Sequence, residues 1–146
     1  MKRSFIATVL VSVLMLIALH LSSTPSNSGQ ADEIVGKWKL INQPTDMAGN
    51  PCPFIPAEME FFNDKTMSMS NMPGNKMQYK TDLTAEEKQA IQTRIPGLKD
   101  MELLIVKPNP QMEWAAAPIA YGYSLDKSRL SLTVPGWSPA EFERAK

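Results

Sequence analysis

The fold of this chain depends on the stretch Ile34-Val35-Gly36-Lys37-Trp38-Lys39-Leu40-Ile41-Asn42. Its even-numbered residues up to position 40 are apolar or glycine, and Lys37 and Lys39 fall between them. Side chains of an extended strand point alternately to its two faces, so the pattern predicts a strand with one face on a core and the other in water. Trp38, the largest apolar side chain of the stretch, is expected to anchor that core.

Similar alternation recurs along the chain at short intervals. The strand over 101–107 is apolar on both faces, which indicates that a helix covers its outer side. Asparagine, aspartate, glycine and proline between the apolar segments favour tight turns, so neighbouring strands are expected to be antiparallel. After the first strand, the pattern predicts further strands over 57–62, 66–70, 77–81, 101–107, 111–116, 119–125 and 129–134.

Two segments have the pattern of a helix start. Thr84 is followed three residues later by Glu87, which is a capping box, and Pro96 ends the helix predicted over 85–95. Ser138 is followed by a proline and then by Glu141, and this second capping box predicts a short C-terminal helix. Consecutive antiparallel strands with one apolar face must hide that face. We therefore predict a mainly β protein, an antiparallel up-and-down β-barrel of about eight short strands with one inserted α-helix and a short C-terminal helix.

The N-terminus has the composition of an export signal. Lys2 and Arg3 precede an apolar run from Phe5 to Leu21, and a polar segment follows. A basic head, an apolar middle and a polar tail are the parts of a secretory signal peptide, and the run is also near the length of a membrane span. We expect residues 1–31 to be a signal peptide or an N-terminal membrane anchor with a polar linker, and residues 32–146 to be one secreted or extracytoplasmic domain.

The charge balance and the small numbers of cysteine and histidine limit the classes of function that this chain can have. Lysine and arginine together number 15, as do aspartate and glutamate, so no basic excess favours nucleic acid. Cys52 is the single cysteine and is expected to be a small buried hydrophobe, with an intermolecular disulfide as the alternative. The one histidine, His20, lies in the leader. These features favour a protein that is not an enzyme and that needs no cofactor.

The segment 43–56 is a long loop by its composition. It contains four prolines, which exclude a helix and a central strand. Phe54 and Ile55 are too apolar to be left in water without a cost, so the loop is expected to drape over the body of the protein.

Gly36-Lys37-Trp38 on the first strand resembles the Gly-x-Trp motif that opens lipocalins and related barrels. The resemblance extends to the loop 43–56, since the equivalent loop of lipocalins lids the mouth of the cup. The late hairpins, with Tyr121-Gly122-Tyr123 and Arg129-Leu130-Ser131-Leu132, are similar to those of small bacterial secreted lipocalin-like domains. The family packs a late arginine on the tryptophan, and Arg129 and Arg144 are the two candidates here.

An eight-stranded barrel is wide enough to be filled by its own side chains or to hold one small ligand. We predict an exported binding protein for a small apolar or amphipathic molecule, with Phe54 and Ile55 on the lid. The alternative is that the inward residues only fill the core. The expected ligand-binding residues, all inward by alternation, are Trp38, Met59, Phe61, Met67, Met69, Tyr79, Tyr121 and Tyr123.

Two other functions remain open. The loop 43–56 could be the contact surface of a solid protein-interaction or inhibitor module, using Phe54 and Ile55. Cu(I) binding is a minor alternative because thioethers suit that ion and methionine is concentrated at Met67, Met69, Met72 and Met77.

Overall fold

Short alternating segments form the eight antiparallel strands of a closed barrel in the computed structural model, which describes residues 33–146. The strands pair in sequence order, and β8 closes the barrel against β1. The predicted fold class is therefore confirmed, whereas the predicted leader at 1–31 lies outside the described residues. The strands are β1 (Gly36–Asn42), β2 (Glu58–Phe61), β3 (Thr66–Met69), β4 (Met77–Lys80), β5 (Leu103–Lys107), β6 (Ile119–Asp126), β7 (Arg129–Thr133) and β8 (Ala140–Arg144).

The barrel has two ends because successive strands run in opposite directions. We call the end that carries the loops 43–57, 70–76, 108–118 and 134–139 the open end. The other end carries the chain segment before β1 and the connection that contains the helix, and we call it the closed end. No helix within residues 33–146 is long and apolar enough to cross a membrane.

The closed end is built around Trp38. The Arg144 guanidinium lies 4.3 Å from the centre of the Trp38 ring and donates to the Val35 carbonyl at 2.7 Å. The Trp38 indole N–H donates to the Ile34 carbonyl at 2.8 Å, and Ile34 is fully buried. Arg144 is thus the arginine that packs on the tryptophan, while Arg129 is exposed.

Gly36 is required at this end by both its backbone and its neighbour. Its φ is +131°, and a Cβ there would lie 2.7 Å from Nη1 of Arg144. Any other residue would therefore strain the backbone and displace the guanidinium from the Trp38 ring. The glycine and the tryptophan two residues later are parts of the same arginine site.

The predicted C-terminal helix is wrong. Ala140–Arg144 is a strand that pairs with β7 on one side and β1 on the other, and Ala140 and Phe142 are fully buried. The hydroxyl of Ser138 accepts a hydrogen bond from the Thr45 amide at 3.1 Å instead of capping a helix. A helix cap contributes about 1 kcal/mol, which is less than a strand gains by closing two open edges and burying Phe142.

The predicted strand over 111–116 is also wrong. That segment is a turn followed by one 3₁₀ turn, Trp114–Ala116. Because β5 pairs directly with β6, the sheet offers it no edge. Trp114 packs outside the barrel, where the Lys107 ammonium lies 4.3 Å from the centre of its ring. The barrel still has eight strands because β8 replaces the missing one.

The inserted helix, α1 (Ala85–Arg94), begins at the predicted capping box. The Thr84 hydroxyl accepts from the Glu87 amide at 3.2 Å, and the Glu87 carboxylate accepts from the Thr84 amide at 2.9 Å. The predicted cover over β5 is confirmed, since Leu103 and Ile105 on its outer face are buried in a second apolar cluster. That cluster consists of Ile91, Leu98, Leu103, Ile105 and Ala117.

Candidate functional site

The residues predicted to bind ligand form the core of the barrel. Phe61 and Tyr79 meet edge to face with ring centres 4.9 Å apart, as aromatic pairs in packed cores do. Contact of these residues with a ligand stays a prediction. The predicted ligand-binding residues are all at most 3 % exposed, except Tyr123 at 8 %. They are Trp38, Met59, Phe61, Met67, Met69, Tyr79, Tyr121 and Tyr123.

An apolar cleft of about 280 Å³ opens at the rim of the open end. It lies between the loops 43–57, 70–76 and 134–139 and the first residues of β6, with Pro118 and Ile95, the residue after α1, also bordering it. We call it the rim cleft. Of the residues expected to contact ligand, Tyr121 and Phe54 line it. The complete lining is Pro53, Phe54, Asn71, Met72, Ile95, Pro118, Ile119, Ala120, Tyr121, Val134 and Pro135.

The rim cleft exists because β6 extends beyond its neighbour. The ladder between β6 and β7 begins at the pair Gly122 and Thr133, although β6 itself begins at Ile119. Continuing the register would place Pro135 opposite Ala120, and proline has no amide to donate to a ladder. β7 therefore ends before Pro135, and the start of β6 borders an opening on that side.

Sequence reasoning missed most of the lining, including Met72, Ile119 and Val134. The signal was available in part, because Pro118 and Pro135 flank β6 and β7 and mark where pairing ends. Which loops lie over that opening depends on the tertiary structure.

The Pro-rich loop 43–56 is ordered by its own hydrogen bonds. The Asp46 carboxylate accepts from the amides of Ala48 at 2.9 Å and Asn50 at 2.8 Å and from the side chain of Asn50 at 2.9 Å. The side-chain bond from Asn50 is the main reason that the pKa of Asp46 is lowered. The turn presents Met47 entirely to solvent.

Two contacts fasten the same loop to the barrel beside the rim cleft. The Ser138 amide donates to the Thr45 carbonyl at 2.9 Å, and the Thr45 amide donates to the Ser138 hydroxyl. The Tyr121 hydroxyl donates to the Phe54 carbonyl at 3.1 Å. The loop therefore has a defined position over the mouth of the barrel.

The two predicted lid residues have different environments. Ile55 is 7 % exposed and belongs to the core, whereas Phe54 is 57 % exposed at the cleft. The Phe54 ring meets the edge of Trp137 with centres 5.9 Å apart. The Trp137 Nε1 is buried, and no described group accepts its hydrogen bond.

The part of the rim cleft formed by residues 33–146 is electrically neutral. None of the described residues that line it is charged. Burial raises the pKa of Tyr121 far above its ordinary value, with the nearby Cys52 as a smaller cause, so its hydroxyl stays protonated. The open-end loops together hold three charged residues, which are Asp46, Lys76 and Glu113.

A second cleft, of about 300 Å³, lies near the closed end, where β4 leads into α1. It is polar, and the Lys88 ammonium crosses it to reach the Glu102 carboxylate at 3.3 Å. Tyr123 lines it, and burial is the main reason that the pKa of this tyrosine is raised. Charged side chains, including Asp82, line this cleft, so it is a weaker candidate for an apolar ligand than the rim cleft.

The methionines proposed for Cu(I) belong mostly to the core. Met67, Met69 and Met77 are at most 3 % exposed, and Met72 is partly buried against them. Cys52 is free and 2 % exposed. No cluster of three or more histidine, cysteine, aspartate or glutamate residues within 33–146 could hold a metal ion. Copper binding through methionine stays an untested hypothesis.

No protein-family model, curated protein or solved structure matches this chain significantly. The class that the structure defines is therefore the fold itself, a closed eight-stranded antiparallel barrel with an apolar cleft at its open end.

Proposed function

We propose that this is an exported, non-catalytic, lipocalin-like protein that binds a small apolar or amphipathic molecule in the rim cleft. The export signal predicted for residues 1–31 supports a location outside the cytoplasm. The barrel and the Gly36, Trp38 and Arg144 site are compatible with the lipocalin resemblance. The observation that carries the proposal is an apolar cleft of about 280 Å³ bordered by a fastened loop.

The rim cleft fits a ligand better than the barrel centre does. Small-molecule sites are concave and mainly apolar, with a few polar groups for orientation. The rim cleft has this character, with Met72, Ile119 and Val134 as apolar walls and Asn71 as a polar side chain. In the centre, aromatic and methionine side chains pack against each other, so a ligand there would have to displace the core.

The proposal is tested with 1-naphthylamine, a small dye that is uncharged at neutral pH and whose emission shifts to shorter wavelengths in apolar surroundings. We expect saturable binding to the purified protein. A Val134→Asp variant places a carboxylate in the rim cleft, and we expect its affinity for the dye to fall about tenfold or more.

Ile41→Asp is the matched control. Ile41 is also β-branched and apolar, but it is 43 % exposed on β1 and does not line the cleft. The control should bind the dye as the unmodified protein does, and urea denaturation should show that both variants are folded. Dye binding that is unaffected in folded Val134→Asp, or absent from the unmodified protein, would refute the proposal.

The exposed side chains of loop 43–56 favour a second function, as a protein-interaction module. Met47 is fully exposed and Phe54 is 57 % exposed. If they contact a partner protein, a Met47→Ser/Phe54→Ser variant should lose one copurifying protein, identified by quantitative mass spectrometry, that Ile41→Ser retains. If the unmodified protein, the double variant and Ile41→Ser all copurify with the same set of proteins, this result would argue against the function.

A further inference from the structure

We infer that the rim cleft selects uncharged ligands, namely small apolar chains that end in a hydroxyl or a primary amide. The inference rests on the proposed function and specifies the chemistry of the ligand. A volume of about 280 Å³, at about 30 Å³ for an atom the size of water, holds roughly nine heavy atoms. An eight-carbon chain with a small polar head is thus of the right size.

A charged head group would find no counter-ion in this cleft. No described residue of the lining is charged, and an ion that loses its water without a partner costs several kcal/mol. Two cations close to the open-end loops already have partners. The Lys76 ammonium lies 3.5 Å from the Asp64 carboxylate, and the buried Lys107 donates to the Pro110 carbonyl at 3.1 Å.

Acidic groups do not offer a site for a cationic head either. Glu113 is exposed on the loop 108–118 and is not part of the lining. The Asp46 carboxylate is held by the three hydrogen bonds of its own turn. An ammonium would therefore meet the same cost of desolvation as a carboxylate.

The backbone of Ala120 offers hydrogen bonds that suit a neutral head. The Tyr123 amide donates to the backbone carbonyl of Glu102, on the β5 side of β6. Backbone groups alternate in direction along a strand, so the amide and carbonyl of Ala120 lie on the opposite side, beyond the last pair of the β6–β7 ladder. This places both a donor and an acceptor at the cleft.

A donor and an acceptor together discriminate between head groups. A hydroxyl or a primary amide can both donate and accept, whereas a carboxylate only accepts and an ammonium only donates. The Asn71 side chain at the exposed rim is able to do both as well. The hydrogen-bonding groups and the uncharged character of the described lining residues thus favour the same class of ligand.

Octanamide and octanoate provide a direct test, because they have the same number of heavy atoms and differ in charge. Each would be titrated at pH 7 against the complex of the protein with 1-naphthylamine, with octylammonium as the cationic probe. We expect octanamide to displace the dye at a concentration about tenfold lower than either ion, or lower still.

The possible outcomes separate this inference from the proposed function. Equal or tighter binding of octanoate or octylammonium would overturn the selectivity while the binding function remained. Dye binding that none of the three probes displaces would overturn the size and class of the ligand. If the dye itself did not bind, the proposed function and the inference would both fail.

A change of specificity provides an independent test. Asn71 is exposed, so Asn71→Lys adds a cation at the cleft without disturbing the core. We expect octanoate affinity to rise about fivefold, and octanamide, which loses the Asn71 amide as a partner, to bind no more tightly than before. Asn75→Lys, exposed on the same loop and outside the lining, should change neither. Unchanged octanoate affinity in Asn71→Lys would overturn the inference.

Discussion

Arg144 joins the two ends of the described chain at a single side chain. Its guanidinium covers the Trp38 ring and donates to the carbonyls of Glu33 at 2.5 Å and Val35 at 2.7 Å. These contacts hold the segment before β1 across the closed end of the barrel. The lipocalin resemblance implied that a late arginine would pack on Trp38, with Arg129 as the nearest candidate and Arg144 as the second. The register between β1 and β8 places Arg144 directly opposite Trp38.

We expect Arg144→Met to lower the free energy of unfolding by about 2–3 kcal/mol, measured by urea denaturation. The variant keeps an unbranched apolar stem but loses the cation–π contact and leaves two carbonyls without this donor. Arg129→Met is the control, because Arg129 is exposed on β7, and it should change stability by less than about 0.5 kcal/mol. Equal effects of the two substitutions would contradict the role given to Arg144.

At the scale of elements, the two predicted capping boxes had different outcomes. Thr84 caps α1 as expected, because the helix lies outside the barrel and no strand edge competes for its residues. Ser138 precedes a segment that lies between two strand edges, and there pairing prevails over local preference. The sequence of the last seven residues does not reveal where the edges of β1 and β7 lie.

The cap of α1 also makes stability depend on pH. The Lys80 ammonium bonds to the Glu87 carboxylate at 2.8 Å and, with the Thr84 amide as a smaller cause, lowers the pKa of Glu87 below its ordinary value. A carboxyl group whose pKa is lower in the folded state adds stability above its unfolded pKa, about 4.3, and loses it as the pH falls through the folded value.

We therefore expect the urea midpoint of the unmodified protein to fall more steeply below about pH 4.3 than that of Glu87→Gln. The measurement is a series of urea titrations between about pH 3 and pH 7. Glu86→Gln is the control, since Glu86 is exposed in the same helical turn, whereas the Lys80 ammonium pairs with Glu87. Parallel pH profiles for the protein and Glu87→Gln would show that this contact does not contribute.

At the scale of the whole molecule, alternation along the chain was enough to predict the mainly β barrel, the inserted helix and its cover over β5. These features follow from local periodicity, because a strand or helix with one apolar face must bury that face wherever it lies. The loop 43–56 was also evident from its prolines. The predicted ligand residues were correctly placed on the inward face, yet inward position alone does not distinguish a filled core from a cavity.

The tertiary structure alone determined the identity of the eighth strand, the choice of Arg144 and the location of the rim cleft. Each depends on contacts between residues far apart in sequence: β8 with β1, Trp38 with Arg144, and Phe54 with Tyr121. Periodicity indicates which side of an element is apolar. Only closure of the barrel determines which elements meet and where one strand ends before its neighbour. The cleft lies where Pro135 ends one wall, and its neutral lining comes from segments that become neighbours only after folding.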